Sequence, residues 1–340
     1  MLKDIKEYVK EQKIQLKDRL TGQTATLAII QVGSIDASNR YVKHKINDCK
    51  EVGITPLHIQ LPDTISQENL EHEIKKVIPV ADGIIVQLPL PPHLDKQRLI
   101  DLIPAELDVD GFRRDSPYDP CTPKGIVDYL AACGYDDLSG LNVTIIGRSD
   151  IVGKPLAAMM LAKNATVTVC HSKTKDLYPH LETADIIVCA VGKANFLDCS
   201  SLSDDKIIID VGINLDKNGK LVGDCCNTIG KQATPVPGGC GLLTRLALIK
   251  NTIEKKEKKI MMNNEFNFKK VDATGRVTIP KAIRERMGIR EGDELEIFTT
   301  NFEGRDFVCF GKAVENARYK MAAEVLAELG LEVPEELKNA

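Results

Sequence analysis

The sequence lacks any apolar run long enough to cross a membrane. Its longest runs, such as LAII and TIIG, have the length of strands, whereas a membrane-spanning helix needs about 20 apolar residues. The opening stretch MLKDIKEYVKEQ is charged and lacks the apolar centre of a secretory signal. We therefore expect a cytoplasmic protein with no membrane partner.

Paired cysteines and an excess of one charge are also missing. The ten cysteines include no CxxC pair, so we expect reduced thiols that mostly fill the core, and no metal site. The net charge is only −4, so any binding to nucleic acid must come from a local patch. What is present is typical of a folded protein, with 43% hydrophobic and 28% charged residues. A chain of 340 residues predicts two or three domains.

Strands and helices alternate along the first 240 residues. Continuous apolar runs such as TATLAIIQVG, DGIIVQL, LNVTIIG and KIIIDVG are separated by segments with helical spacing. This pattern predicts an α/β fold with two βαβ-type domains over residues 1–120 and 121–240, each built on a parallel sheet. A helix over 241–258 should end in solvent. We expect a small β module over 263–300 and a helical tail over 301–340.

The stretch VTIIGRSDIVGKPLA predicts a strand, a tight turn and a helix. Gly147 ends the strand, and such a turn aims backbone N–H groups and the positive helix end at a phosphate. Ser149 stands where the GxGxxG motif has its second glycine, and on spacing alone an ordinary strand–helix corner is an equally good interpretation. Arg148, with Ser172 and Lys173 after the next strand, offers cations and a hydroxyl near the expected adenosine ribose. They favour NADP over NAD.

The stretch ASNRYVKHK places Tyr41 and Lys45 four residues apart, on one face of a helix. A tyrosine can stack on a flat heterocycle, and a lysine in a partly dry pocket can move protons. Taken alone, the pair fits an exposed helix face better. Gln87 adds weight because it follows a strand at the edge where open α/β sheets bind ligands, and Asp110 lies in the loop DVDGF. An amide and a carboxylate there could bind the edge of a pterin-like ring.

An ordered set of motifs resembles a known family. The stretches are ASNRYVKHK, VQLPLPPHLD, DVDGF, PCTPKG, IGRSDIVGKP, CHSKT, DVGIN and PVPGGCG. Together they resemble the bifunctional methylenetetrahydrofolate dehydrogenase/methenyltetrahydrofolate cyclohydrolase family over about residues 1–256. After PVPGG the chain has CGLLT, which keeps Thr244 of the family's usual pattern but lacks its proline.

The resemblance implies a role for each candidate residue. Tyr41 would stack on the folate, Lys45 would be the catalytic lysine, Gln87 would orient it and Asp110 would bind the pterin edge. NADP would be held by Gly147, Arg148, Ser149, Ser172 and Ile213. The implied reactions oxidise 5,10-methylenetetrahydrofolate with NADP to the 5,10-methenyl form and hydrolyse that to 10-formyltetrahydrofolate. The resemblance also implies a homodimer, a Rossmann-like NADP domain, and a catalytic domain completed by the helix 241–258.

The stretch FKKVDATGRVTIPKAIRERMGIREGDELEIF resembles a second family, the AbrB-like swapped-hairpin DNA-binding domains, over about residues 266–298. Basic side chains crowd into it, and a basic face of this kind neutralises phosphates. We expect Arg276, Lys281 and Arg284 to contact DNA. A solvated face on a dimerisation module is the alternative. The resemblance implies that this module folds as an interleaved dimer.

The stretch KKEKKIMMNNEFNFKK, residues 255–270, indicates a junction between the two parts, with a linker at about 257–267. Two classes of function remain open. The first is a folate enzyme with a DNA-binding or dimerising appendage, and the second is a transcription regulator that uses an enzyme-like domain to sense folate or NADP. The complete set Tyr41, Lys45, Gln87 and Asp110 favours the enzyme. The motifs also fit a dehydrogenase with a single activity.

Overall fold

The computed structural model describes residues 1–20, 22–265, 278–279, 284, 288–293, 295–302 and 305–312. It divides into two compact units, residues 1–258 and 259–340. None of the helices in the described ranges combines the length and the apolarity that a membrane span requires.

The first domain of the larger unit is a three-stranded parallel sheet covered by helices. Its elements are α1 (Ile5–Arg19), β1 (Ala25–Val32), α2 (Asp36–Val52), β2 (Ile54–Leu61), α3 (Gln67–Val77), β3 (Gly83–Val86), α4 (Lys96–Leu102) and a 3-10 turn (Ala105–Leu107). Helix α5 (Cys121–Ala132) follows and has side chains in the cores of both domains. The strand order is β2-β1-β3. Gly53 ends α2 in the left-handed region, at φ 89°, and the Ser66 side chain caps α3 by accepting from Asn69 N.

The second domain is a five-stranded parallel sheet. Its elements are β4 (Asn142–Ile146), α6 (Gly153–Ala162), β5 (Thr166–Cys170), α7 (Tyr178–Glu182), β6 (Ile186–Cys189), β7 (Leu197–Asp198), β8 (Ile207–Asp210), β9 (Asn214–Leu215), β10 (Leu221–Val222), β11 (Cys225–Cys226) and β12 (Gln232–Ala233). The strand order is β12-β8-β6-β4-β5, and every pairing in this sheet is parallel. The order reverses at β4, and ligands of open α/β sheets bind beside such a reversal.

Helix α8 (Cys240–Glu265) returns to the first domain and completes its core. Leu243, Leu246 and Ile253 of α8 belong to one buried cluster with Tyr8 of α1 and Leu27 of β1. Burying these large apolar side chains together supplies much of the stability of the first domain.

The close packing of α5 on α8 explains a glycine. A Cβ on Gly125 would lie 2.5 Å from the carbonyl oxygen of Leu243, so only glycine fits there. One expectation about α8 was wrong. The helix was expected to end at residue 258 and to be followed by a linker at 257–267, but it continues to Glu265, because Lys and Glu have a high helix propensity.

In the second unit, the described residues form an antiparallel hairpin of β13 (Leu295–Phe302) and β14 (Arg305–Lys312). The tail was expected to be helical from residue 301, and this is wrong for β14, whose apolar run FVCF pairs with β13. The rest of the predicted tail, 313–340, lies outside the described residues, as do Arg276 and Lys281. Arg284 is described, and its side chain is exposed.

Candidate active site

The two helical candidates from the sequence lie together on α2. Lys45 is only 5% exposed, and its Nζ lies 5.2 Å from the centroid of the Tyr41 ring. This distance is within the range of a cation–π contact. Burial raises the pKa of the Tyr41 hydroxyl, and the nearby charge of Arg245 acts in the opposite direction. Tyr41 therefore remains a neutral phenol, suited to stacking and hydrogen bonding.

Asp110 lies within the electrostatic reach of Lys45. Its side chain is buried, and burial raises the pKa of its carboxyl group, while the charge of Lys45 and a hydrogen bond with Cys121 act in the opposite direction. The Cys121 thiol also donates to the Val109 carbonyl at 3.2 Å. Cys121 was not singled out from the sequence as a site residue, although the motif PCTPKG contains it. The structure thus brings Tyr41, Lys45 and Asp110 into one group.

Gln87 is buried directly after β3, at the carboxyl edge of the first sheet. Its Nε2 donates to the carbonyl of Leu88 at 2.6 Å. Its Oε1 is buried and accepts no hydrogen bond from the described part of the chain. A buried acceptor without a donor is costly, so this oxygen is available to a lysine ammonium or to a bound ligand.

Helix α8 holds the loop that carries Asp110. The amide Nδ2 of Asn251 donates to the carbonyls of Val109 at 2.9 Å and Asp119 at 3.3 Å, on either side of that loop. Between them, Gly111 has φ 72°, and a Cβ there would lie 2.7 Å from the Asp119 backbone. Nothing in the sequence separates Asn251 from the other polar residues of its helix.

A buried charge network joins α1, α2 and α8. Asp48 accepts from Lys13 Nζ at 2.6 Å and from Arg245 Nε at 2.5 Å, and Lys13 also reaches Glu51 at 2.7 Å. The side chains of Lys13, Asp48 and Arg245 are 10–12% exposed, so solvent screens the network weakly. The network fixes the helix that bears Tyr41 and Lys45 relative to α8.

The dinucleotide turn follows β4, as expected from the sequence. Gly147 has φ 130°, and a Cβ there would collide with the carbonyl oxygen of Ala190 after β6. Ser149 Oγ accepts from the backbone N–H of Val152 at 3.2 Å and of Gly153 at 3.4 Å, so it ties the turn to the start of α6. Gly147 is therefore required by the close approach of the loop after β6.

The residues proposed to contact the ribose end lie at the carboxyl edge of the same sheet. Arg148 follows β4, Ser172 follows the neighbouring β5, and both are exposed. The stretch HSKTK at 171–175 contains no acidic side chain. This composition fits a dinucleotide with a 2′-phosphate better than one with a free 2′-hydroxyl, which an acidic residue normally binds.

A cavity of about 300 Å³ has residues of both domains in its walls. Tyr41 and His44 line it from α2, and Ile213 lines it from the loop after β8. The backbone of PVPGGCG, residues 235–241, forms another side. Four of the cofactor candidates lie at the carboxyl edge of the second sheet and outside this lining, namely Gly147, Arg148, Ser149 and Ser172. The cavity thus joins the tyrosine of the first domain to the cofactor side of the second.

The second domain has a parallel sheet with a glycine turn beside a reversal of strand order, and the first has a buried lysine next to the tyrosine that lines the cavity. Together these features define a two-domain dinucleotide-binding enzyme. Residues 1–110 match the family model for the catalytic domain of tetrahydrofolate dehydrogenase/cyclohydrolase, and residues 120–260 match the model for its NAD(P)-binding domain. The chain belongs to the tetrahydrofolate dehydrogenase/cyclohydrolase family. The resemblance inferred from the motifs and the α/β fold class are confirmed.

The alignments with individual relatives include almost the whole length of each relative. The bifunctional protein FolD of Variovorax paradoxus (strain S110) is 43% identical over 252 residues, which are 70% of this chain and 89% of the relative. The crystal structure of the bifunctional enzyme FolD from Campylobacter jejuni has a TM-score of 0.72 at 38% identity, covering 76% of this chain and 99% of that one. The Trypanosoma brucei methylenetetrahydrofolate dehydrogenase-cyclohydrolase, complexed with NADP cofactor and inhibitor, has a TM-score of 0.71 at 30% identity, covering 76% and 98%.

The C-terminal part matches a different family. Residues 268–305 match the model for the antidote-toxin recognition MazE domain of bacterial antitoxins. The chain therefore combines the folate enzyme with a module of the MazE/AbrB swapped-hairpin type, as the sequence predicted.

Proposed function

We propose that this chain performs two successive reactions on one folate, in the cleft between its domains. It oxidises 5,10-methylenetetrahydrofolate to 5,10-methenyltetrahydrofolate with NADP, and it hydrolyses the product to 10-formyltetrahydrofolate. The observation that carries the proposal is the group of Tyr41, Lys45 and Asp110, of which Tyr41 lines a cavity that reaches Ile213 of the NAD(P)-binding domain. A folate bound there would lie against both domains.

We call the surface formed by Tyr41, Lys45, Gln87 and Asp110 the folate wall. The geometry suggests a task for its residues. Tyr41 lines the cavity, and we assign its ring the stacking contact with the pterin. Asp110 would accept hydrogen bonds from N–H groups of the pterin edge. The unpartnered Oε1 of Gln87 would accept from Lys45 or from the substrate.

The first step removes a hydride from the bridging methylene group of the folate and leaves a methenyl cation. NADP, when bound, supplies the hydride acceptor. The carboxylate of Asp110, close to Lys45, would provide negative charge on the wall that faces the developing cation. In the second step water adds to the methenyl carbon and releases one proton. The bond from that carbon to N5 then breaks as the carbonyl forms, and the proton of the new hydroxyl group ends on N5, which gives 10-formyltetrahydrofolate. Lys45 is a buried amine beside Tyr41, so it is placed to move the proton released by the water within the cleft.

We propose that the chain prefers NADP to NAD. Arg148 can pair with a 2′-phosphate, Ser172 can donate a hydrogen bond to it, and Lys173 adds a second cation on the same sheet edge. Ser149 and Gly147 would receive the diphosphate at the start of α6. Ile213 would contact the cofactor from the cavity wall.

A spectroscopic assay of the purified chain tests the function. With methylenetetrahydrofolate and NADP we expect NADPH to form while the absorbance of the methenyl compound rises only transiently. A persistent methenyl signal would indicate a dehydrogenase without the hydrolytic step. Absence of both reactions would favour the alternative, a transcription regulator that senses folate or NADP.

We propose that the chain is a homodimer and that its C-terminal module binds DNA. The exposed Arg284, with Arg276 and Lys281, would form the phosphate-binding face. Light scattering and DNA retention would compare the full chain with a version that ends at residue 265. We expect light scattering to give the mass of two chains. We expect the full chain, and not the shortened version, to retain DNA, and this retention should weaken steeply with salt. A monomeric full chain would contradict the dimer, and equal retention by both versions would contradict the DNA-binding role.

A further inference from the structure

Two buried aspartates lie behind the cofactor edge of the second sheet. Asp210 is the last residue of β8, and Asp224 directly precedes β11. Their exposed fractions are 3% and 0%. A buried carboxylate is strongly destabilising unless hydrogen-bond donors surround it.

Asp224 binds two separate loops. One of its oxygens accepts from the backbone N–H groups of Val191 at 2.7 Å and Gly192 at 2.9 Å. The other accepts from the N–H of Lys193 at 2.9 Å and from the side-chain amide of Asn214 at 2.8 Å. Three successive N–H groups that converge on one carboxylate form an anion-binding nest. The carboxylate thus fastens the loop after β6 to Asn214, the first residue of β9, where the loop after β8 ends.

Asp210 holds the backbone on which Asp224 lies. Its carboxylate accepts from the N–H groups of Gly212 at 3.0 Å, Asp224 at 2.9 Å and Cys225 at 2.9 Å. Side chains would not fit here, because a Cβ on Gly212 would collide with the Asp224 carboxylate and one on Gly223 with that of Asp210. The two aspartates and the two glycines form one tightly packed unit.

Both loops held by Asp224 border the cofactor side of the cleft. The loop after β6 begins at Ala190, whose carbonyl oxygen lies against Gly147 of the dinucleotide turn. The loop after β8 contains Ile213, which lines the interdomain cavity immediately before Asn214. The strands β8, β6 and β4 are neighbours in the sheet, so these loops and the turn lie side by side.

We propose that Asp224 is a positioning residue for the cofactor. Its carboxylate sets the spacing between the loop after β6 and the loop after β8, and this spacing determines how well the dinucleotide is held. None of its hydrogen bonds reaches the folate wall, so it acts on cofactor binding and leaves the folate residues in place. The inference rests on the proposed function in taking NADP as the bound dinucleotide.

The test uses Asp224→Asn in the full chain. An amide keeps the shape of the carboxylate but turns an NH2 group toward N–H donors, so at least one hydrogen bond is lost. We expect the Kd and the KM for NADP to rise at least about tenfold, the usual order for loss of a charge-assisted hydrogen bond. Hydrolysis of methenyltetrahydrofolate, measured without NADP, should stay within about twofold of the wild-type rate, since that step uses the folate wall alone.

Two further variants keep the test decisive. Asn214→Ala removes one of the four hydrogen bonds without burying a mismatched group, so it should raise the Kd for NADP in the same direction by a smaller factor. It also carries the test if Asp224→Asn does not fold. Asp198→Asn is the control, because the exposed Asp198 likewise accepts from one backbone N–H and one asparagine amide, those of Ser200 and Asn227. It should change neither activity.

Unchanged affinity for NADP in both Asp224→Asn and Asn214→Ala would overturn the inference. So would a parallel loss of both activities, because that would make the carboxylate a general support of the fold. If the wild-type chain binds NADP but catalyses neither reaction, the proposed function is refuted. The NADP affinities of the variants would then still test the role of Asp224. A wild-type chain that binds no NADP would refute both.

Discussion

Asn251→Leu tests how the returning helix builds the folate wall. Asn251 is fully buried in α8, and its amide donates to the carbonyls of Val109 and Asp119, which flank Asp110. Leucine has the same number and branching of side-chain heavy atoms but is somewhat larger and has no donor. The substitution therefore keeps the core filled and removes the anchor of the loop.

The expected size of the effect follows from the surroundings of each carbonyl. The Val109 carbonyl is buried and would keep only the weak thiol donor of Cys121, a loss of about 1–3 kcal/mol. Asp119 is exposed, so water can replace the amide there at little cost. Oδ1 of Asn251 is itself buried without a donor in the described chain, and leucine removes that penalty. We expect a net decrease of about 1–2 kcal/mol in the free energy of unfolding.

The substitution should also affect folate binding, because Asp110 moves with its loop. We expect the KM for both folate substrates to rise several-fold, on the order of one lost hydrogen bond, while the Kd for NADP is unchanged. Urea unfolding and steady-state kinetics measure the two quantities. Thr252→Val is the matched control, because Thr252 is the next buried residue and, among the described residues, its hydroxyl donates to the carbonyl of Leu248 within the helix. If Asn251→Leu lowers stability and leaves the KM for folate unaltered, the anchoring argument is wrong.

Three further predictions concern the other parts of the site. Lys45→Met should abolish hydrolysis of the methenyl substrate and leave NADP binding unchanged, as a rate assay and a binding titration would show. Arg148→Ala should raise the KM for NADP far more than that for NAD, since only NADP carries the 2′-phosphate. Asp48→Asn should lower the free energy of unfolding by about 3 kcal/mol, measured in urea, because Lys13 and Arg245 would keep poorly solvated charges without an anion between them.

Each of these three has a matched control on the same element or beside it. Lys43→Met removes an exposed lysine from the helix of Lys45, and it should leave hydrolysis intact. Lys154→Ala removes an exposed cation beyond the dinucleotide turn, and an equal effect on NADP there would count against Arg148. Glu51→Gln changes the exposed end of the Lys13 network, so its cost should be well below that of Asp48→Asn.

The strands and the main site residues were predictable because each is encoded locally. Buried parallel strands are continuous apolar runs, and Tyr41 and Lys45 share a helix face through their spacing alone. Asn251, Asp224 and Asp48 were not predictable in this way. Each acts through a partner far away in the sequence, and before folding it looks like any other polar residue of a helix or loop. Their importance comes from burial, which only the tertiary structure determines.

Two boundaries were wrong for a related reason. The lysine-rich run after Ile253 indicates solvent exposure, which was taken as the end of α8, but exposure does not end a helix of Lys and Glu. The segment Arg305–Lys312 was predicted to belong to the helical tail. It forms a strand instead, because its apolar run FVCF pairs with β13. Strand pairing is a non-local property, and a single segment does not reveal it.

The place of α8 in the chain determines the order in which the enzyme can be assembled during synthesis. The strands of the second domain are contiguous, so that domain can fold once residue 233 has left the ribosome. The first domain is made earlier, yet its core stays open until Leu243, Leu246 and Ile253 arrive from the far end of the enzyme segment. Its apolar face remains uncovered while roughly a hundred further residues are translated, which takes about 5–20 s at 5–20 residues per second. The segment that follows α8 is therefore synthesised at the moment when the folate wall closes.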